Sequence, residues 1–363
     1  MITFIHGADF HLDAPFSALS PRQAAARREE QRALLDRLAD AAEGAQLVFL
    51  AGDLLDGERT YYETAQALVR TLGRMRARVF LSPGNHDFYS PRSPWATLSW
   101  PGNVHIFRTA QVERVDLPEL NCAVYGSAFT APFRDDSPLA GFAAPRDGRL
   151  HFMCVHGDVD GRERYGSIAP QEIAASGLTY LALGHVHAGT GLRYAGDTAW
   201  AYPGCPEGRG FDELGEKGVL RGTVGEDSLR CEFVPLAGRR YEILSVDVTG
   251  EDPSAALSAA LPRGAERDIY RILLTGESAL EGLDLAALEE LAAPYFYSVS
   301  LRDRTRVRRD LWSRAGEDTL TGLFLRELRG RLEAAESDQE RERIEKAVRF
   351  GLAALENRED CYL

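Results

Sequence analysis

The sequence predicts an α/β protein: a layered sheet domain first, then a small α+β unit, then a pair of C-terminal helices. Three observations predict it. Short apolar runs alternate with helical stretches through residues 1–200. Five motifs rich in histidine and carboxylate each follow such a run. Beyond Gly238-Arg239-Arg240 these motifs cease and the patterning changes.

The runs 2–5, 47–50, 79–81, 123–125, 150–155 and 180–183 are short, rich in β-formers and bounded by Gly, Pro or Asn, which is the pattern of buried strands. Two helices are expected between the first three, at about 21–43 and 61–76, the first carrying the apolar stripe Leu34, Leu35 and Leu38. Strand–helix–strand alternation implies a sheet covered by helices. In such sheets the site lies beyond the carboxyl ends of the strands. Strands are then expected at 241–248, 268–274 and 295–301, with helices at 253–260 and 283–292. The C-terminal helices are expected at 318–335, with Asp318 as N-cap, and at 337–355, opened by a capping box of Ser337 and Glu340. The implied domains are 1–238, 239–309 and 310–363.

Of 363 residues, 44% are apolar and 27% charged, ordinary for a globular protein. No apolar run reaches the length of a membrane span. The chain enters a strand at once, without a basic segment or cleavage site, which argues against secretion. The five cysteines, Cys122, Cys154, Cys205, Cys231 and Cys361, show no CxxC pairing, so reduced thiols in a cytoplasm are expected. The net charge of −13 is not that of a dedicated nucleic-acid binder. Yet acidic metal ligands contribute to it, so it neither assigns nor excludes such a substrate. The only lysines are Lys217 and Lys346. Arg302, Arg304, Arg306, Arg308 and Arg309 make either a phosphate-tracking stripe or a solvated face. Arg162, Arg164 and Tyr165 lie on a segment that lines a substrate channel or is a solvated loop.

The motifs are Asp9-Phe10-His11, Gly52-Asp53-Leu54-Leu55-Asp56, Gly84-Asn85-His86-Asp87, His156-Gly157-Asp158 and Gly184-His185-Val186-His187. Carboxylate, imidazole and one carboxamide, with no thiolate, suit borderline-hard divalent ions such as manganese or iron. A two-metal centre needs a bridging ligand, side-chain ligands for each ion, and open positions. Asp9 and His11, two apart on an extended chain, would point to one side, as would His185 and His187. Asp53 is the natural bridge. Singly, each motif reads as a turn or a capping pair; five in this order make a dinuclear hydrolytic site the expectation. His6 is expected to be a buried supporting residue, and His105 and His151 to be structural.

Residues 1 to about 210 resemble the calcineurin-like metallophosphoesterases, whose blocks run D-x-H, GDxxD, GNH[DE], a lone His and GHxH. His6-x-Ala8-Asp9-x-His11-Leu12-Asp13, Tyr202-Pro203-Gly204 and Gly210-Phe211-Asp212-Glu213-Leu214-Gly215 resemble the SbcD-type DNA repair exonucleases, with Cys205 where relatives often have serine. The resemblance implies a β-sandwich flanked by helices, with a small α+β capping domain and a helical hairpin. It implies Asp9, His11, Asp53 and His187 on a first metal, with Asp53 bridging, and Asn85, His156 and His185 on a second. Mn2+ is the expected ion, with Fe2+ or Mg2+ as alternatives. His86 would be the catalytic histidine and Asp56 would orient it. The implied activity is a metal-dependent DNA exo- or endonuclease. Its implied partners are DNA and an SMC-like ATPase of the SbcC type, docked on the C-terminal helices, with a homodimer formed through 21–43 and 61–76. The alternatives are a phosphatase or phosphodiesterase for nucleotides or small phosphoesters, and a mainly structural subunit of an ATPase complex.

Overall fold

The computed structural model describes residues 1–16, 21–57, 59–161, 164–225, 228–278, 282–307 and 312–355; Arg162, Arg308, Arg309 and Cys361 lie outside them. In chain order the first twelve strands are β1 (Ile2–Gly7), β2 (Leu47–Leu50), β3 (Arg78–Leu81), β4 (Val104–Ile106), β5 (Glu113–Leu117), β6 (Cys122–Gly126), β7 (Leu150–His156), β8 (Tyr180–Gly184), β9 (Arg193–Ala195), β10 (Thr198–Ala201), β11 (Gly218–Val224) and β12 (Leu229–Pro235). They form two six-stranded sheets, ordered β12-β11-β1-β2-β3-β4 and β5-β6-β7-β8-β10-β9. In the first, β1 to β4 are parallel and β11 and β12 are antiparallel additions. In the second, β6, β7, β8 and β10 are parallel, with β5 and β9 antiparallel at the edges.

The period of two along each strand sorts the side chains between layers. Phe4, Phe49 and Phe80 from one sheet meet Phe152 and Tyr180 from the other in a fully buried middle layer. Phe4 and Tyr180 lie 4.6 Å apart and Phe49 and Phe152 5.6 Å apart, ring to ring. Their neighbours Ile5, Val48 and Val79 face outward onto helices α1 (Pro21–Ala41) and α2 (Tyr62–Arg74), which bury Leu34, Leu35, Leu38, Leu68 and Leu72. On the far side, Met153, Val155, Leu181 and Leu183 pack against Ile173 of a short helix at Pro170–Ala175. The expected layered α/β architecture is present. Buried on both faces, the central strands read as continuous apolar runs.

The chain divides into two compact units, Met1–Leu244 with Leu261–Ile272 and Ala292–Ser300, and Ser245–Ala260 with Leu273–Leu291 and Leu301–Leu363. Three further strands, Tyr241–Asp247, Ile269–Thr275 and Ser298–Asp303, form one sheet in that order. In the second unit the helices Leu320–Ala334 and Asp338–Leu355 bury Leu325 and Val348 with Ala315. Thus each of the two helices has its central apolar residue covered within the unit itself. Leu320 and Leu323 stay exposed. Thr319, not Asp318, caps the first of these helices, its hydroxyl accepting from the Gly322 N–H at 3.2 Å. Ser337 Oγ accepts from the Glu340 N–H at 3.2 Å, while Glu340 reaches back to the Glu336 N–H instead of that of Ser337. Among the described residues, no helix is long and apolar enough to cross a membrane.

Candidate metal centre

The parallel strands of both sheets deliver the five motifs to one edge. Asp9 and His11 follow β1, Asp53 follows β2, Asn85 and His86 follow β3, His156 ends β7, and His185 and His187 follow β8. Asp9 and His11 do not lie on extended chain as the spacing suggested: their φ angles are 56° and 43°, and those of Asp53 and His185 are 51° and 111°. Left-handed backbone is costly for residues with a Cβ and persists where the surroundings enforce it. Here the enforcing contact is the adjacent loop. The Asp9, His11 and Leu12 N–H groups donate to the carbonyls of Gly52, Asp53 and Leu54 at 3.0, 2.9 and 2.8 Å. Gly84 must be glycine, since a Cβ there would stand 2.2 Å from Asp53 Oδ1.

The donors converge. Asp9, His11 and His187 form one group whose ligand atoms all lie within 4.8 Å of one another; Asp9, Asp53 and His156 form another. His11 Nε2 lies 3.2 Å from His187 Nε2 and 3.8 Å from Asp53 Oδ2. His156 Nε2 lies 2.9 Å from Asn85 Oδ1 and 3.5 Å from Asp53 Oδ2. In each of these three histidines the other ring nitrogen faces an acceptor: His11 Nδ1 faces Asp56 Oδ1 at 3.0 Å, His187 Nδ1 faces Glu213 Oε1 at 2.6 Å, and His156 Nδ1 faces the Ala51 carbonyl at 2.9 Å. An Nδ1–H held in this way leaves the Nε2 lone pair for the centre, the arrangement that metal-ligating histidines require. Among the described residues, His185 joins no three-donor group. Its backbone N–H donates to Asp9 at 3.0 Å, and its ring lies 5.2 Å from that of His156.

The charges fit a cation site. Burial and the nearby Asp53 charge push the Asp9 carboxyl well above its usual value. Burial opposes ionisation of Asp53 as well, but His156, His11 and His86 hold it below the usual carboxylate range. Burial lowers His11 and His156, and burial with His156 as neighbour lowers His185 to about 4. Two crowded carboxylates ringed by imidazole nitrogens are a set that divalent cations would satisfy.

Three residues beyond the expected set hold it in shape. Asp87 is buried, and its carboxylate accepts from the N–H groups of Gly84 (2.7 Å), Asp53 (3.3 Å), Leu54 (2.8 Å) and Leu55 (3.1 Å), tying the GNHD loop to the GDxxD loop. Glu213 orients His187, and Arg209 donates to Glu213 at 3.0 Å and to Asp56 at 3.4 Å. Asp56 itself turns its carboxylate to His11 and Arg209, and it is its backbone carbonyl that approaches His86 Nδ1, at 3.4 Å. The exposed His86 ring stands 4.7 Å from that of His11, and the His86 backbone N–H donates to Asp53 Oδ1 at 2.9 Å.

His6 is buried between the sheets, with Nδ1 2.9 Å from the Tyr180 hydroxyl and Nε2 3.0 Å from the Leu183 carbonyl, on the strand that leads into the GHVH motif. His151 bonds Asp147 and Tyr125, and His105 packs against Phe80 and Phe107, both away from the centre.

A fold of two sheets presenting a carboxylate–histidine cluster at their carboxyl edge defines a metallohydrolase class, and residues 2–198, more than half of the chain, match the family model for calcineurin-like phosphoesterases. The chain belongs to that family, whose members are hydrolases that cleave phosphoester bonds with divalent metal ions. It is 32% identical over 270 residues to the uncharacterized metallophosphoesterase YhaO of Bacillus subtilis (strain 168), a match covering 70% of this chain and 65% of that protein. It is 25% identical over 299 residues to the DNA double-strand break repair protein Mre11 of Aeropyrum pernix, covering 77% of this chain and 71% of that one.

Proposed function

We propose that the chain hydrolyses phosphodiester bonds in nucleic acid at a centre of two divalent cations, Mn2+ the expected ion. Asp9, His11, His187 and the bridging Asp53 would hold one ion, and Asp53, Asn85, His156 and His185 the other. The observation that carries this reading is the shared orientation of His11, His156 and His187, each with Nδ1 engaged and Nε2 turned to Asp53 or to a neighbouring donor. Such ions, when bound, neutralise charge on the phosphoryl group and make water a competent nucleophile near neutral pH. The chain's own contribution is positional. Asp9 and Asp53 concentrate negative charge where the cations are needed. His86, exposed at the rim, is placed to protonate the departing oxygen. Asp56, shared between His11 and Arg209, fixes the ligand histidine. The similarity to Mre11 favours DNA over a small phosphoester.

The ATPase partner and the homodimer belong to the same proposal. Leu320 and Leu323, exposed on one helical turn of the C-terminal pair, supply the apolar face for a helix-in-groove contact with an SMC-like ATPase. Exposed Tyr61 and Tyr62 at the start of α2 favour self-association on that side. The test is Mn2+-dependent digestion of end-labelled linear DNA set against a small chromogenic phosphodiester. Preference for DNA supports the reading; hydrolysis of the small ester alone overturns the nucleic-acid part of it.

A further inference from the structure

Beside the metal centre lies a cavity of about 840 Å3, within the size range of small-molecule sites. Its walls are aromatic: Phe211, Tyr241, Tyr270 and Tyr297 all line it. Phe211 meets Tyr241 edge-on at 5.2 Å and carries the Arg271 guanidinium 3.9 Å above its ring. One rim is formed by Asp56 and Arg209, the residues that contact His11 and His187, so the cavity begins where the metal centre ends.

The walls also carry charge: Asp56, Arg209 and Arg271 line the cavity beside the rings, as does Arg27. Arg27 is 1% exposed, and its two terminal nitrogens are already committed to Glu30, Glu207 and the Gly208 carbonyl. A purely apolar ligand would match neither Arg209 and Arg271 nor Asp56, and a compact inorganic anion would leave the rings uncovered. A flat heteroaromatic ring with acceptor atoms at its edge answers both.

We propose that this cavity is a nucleobase subsite, which takes a base of the strand whose phosphodiester lies at the metal centre. The proposal rests on the phosphodiesterase reading above and adds how the substrate is held. Stacking on Phe211 and Tyr270 is tolerant of base identity, because every base has a π face. A base can enter only when it is unpaired and splayed out, so the subsite selects single strands or frayed ends over intact duplex.

Equilibrium binding of the full chain to a thymidine tetranucleotide and to the same backbone bearing abasic residues, both in EDTA, isolates the bases because the two probes carry equal charge. The wild type is expected to bind the base-bearing tetramer about tenfold more tightly, the usual size of a stacking contribution. Phe211→Ala and Tyr270→Ala should each cut that preference to about twofold or less, and Tyr270→Phe, which keeps the ring, should preserve it. Equal wild-type affinity for the two probes, or an undiminished preference in both alanine variants, overturns the subsite. A wild type that prefers bases but cleaves no phosphodiester with Mn2+ overturns the phosphodiesterase reading and leaves base recognition standing. One that cleaves DNA without preferring bases does the reverse.

Discussion

Asp87 lies outside the ligand set, yet its replacement should loosen the whole centre. Its Oδ1 accepts from Gly84 and Asp53, and its Oδ2 from Leu54 and Leu55. Asparagine keeps one oxygen, and so two of these bonds, and turns an amide toward the other two donors; alanine keeps none. A buried N–H left without its acceptor costs about 1 kcal/mol or more, so Asp87→Ala should be destabilised by about 2 kcal/mol more than Asp87→Asn. Burial and the nearby Asp53 push the Asp87 carboxyl up to about 7, so removing its charge returns some stability. Both variants remove that charge equally, so the difference between them is independent of it. For a unit of this size, 2 kcal/mol corresponds to a separation of about 4–8 °C in Tm. Melting curves of the two variants, followed by circular dichroism, measure it directly. An alanine variant as stable as the asparagine variant would contradict this, because the two bonds that asparagine retains would then contribute nothing.

His86→Ala should leave metal loading intact while lowering turnover on DNA roughly 100-fold or more, the scale of a lost acid–base contribution; wild-type kinetics in that variant would make the residue structural. Burial lowers His6 to about 3 against an ordinary 6.5, so the unfolded chain takes up this proton first. Its contribution is full above pH 6.5 and is lost as pH falls toward 3, at about 1.4 kcal/mol per pH unit. His6→Gln should therefore flatten the acid limb of a stability-versus-pH curve by one proton, and an unchanged slope between pH 5 and 6 would count against it. Leu325→Ala, at a fully buried position of the C-terminal helix pair, should cost about 3 kcal/mol; helical content in that unit that melts as in the wild type would show that the helices are held by something else.

The central layers of the fold were legible in the sequence because the strands β1, β2, β3, β6, β7 and β8 are buried on both faces and read as apolar runs. Strands β11 and β12 were not, since β12 at the sheet edge alternates half-buried and exposed residues such as Arg230, Glu232 and Phe233 and shows no such run. The motif residues were legible because each block is contiguous and sits where a strand ends. What supports them was not. Glu213 reaches His187 across 26 positions and Asp87 reaches Leu54 across 33, contacts made only when separate loops approach. The left-handed backbone of Asp9 and His11 was hidden for the same reason: it is imposed by the neighbouring GDxxD loop, whereas residue spacing alone suggests extended chain. The fourth residue of GNHD carried a hint, a carboxylate within reach of the turn it closes, that turn chemistry alone would have absorbed.

A dinuclear centre in this fold depends on Asp53 as the shared ligand. After loading with Mn2+ and removal of excess ion, elemental analysis should find two ions per wild-type chain and fewer than one per chain in Asp53→Ala, because both positions lose a donor at once. Two ions retained by Asp53→Ala would contradict the dinuclear assignment.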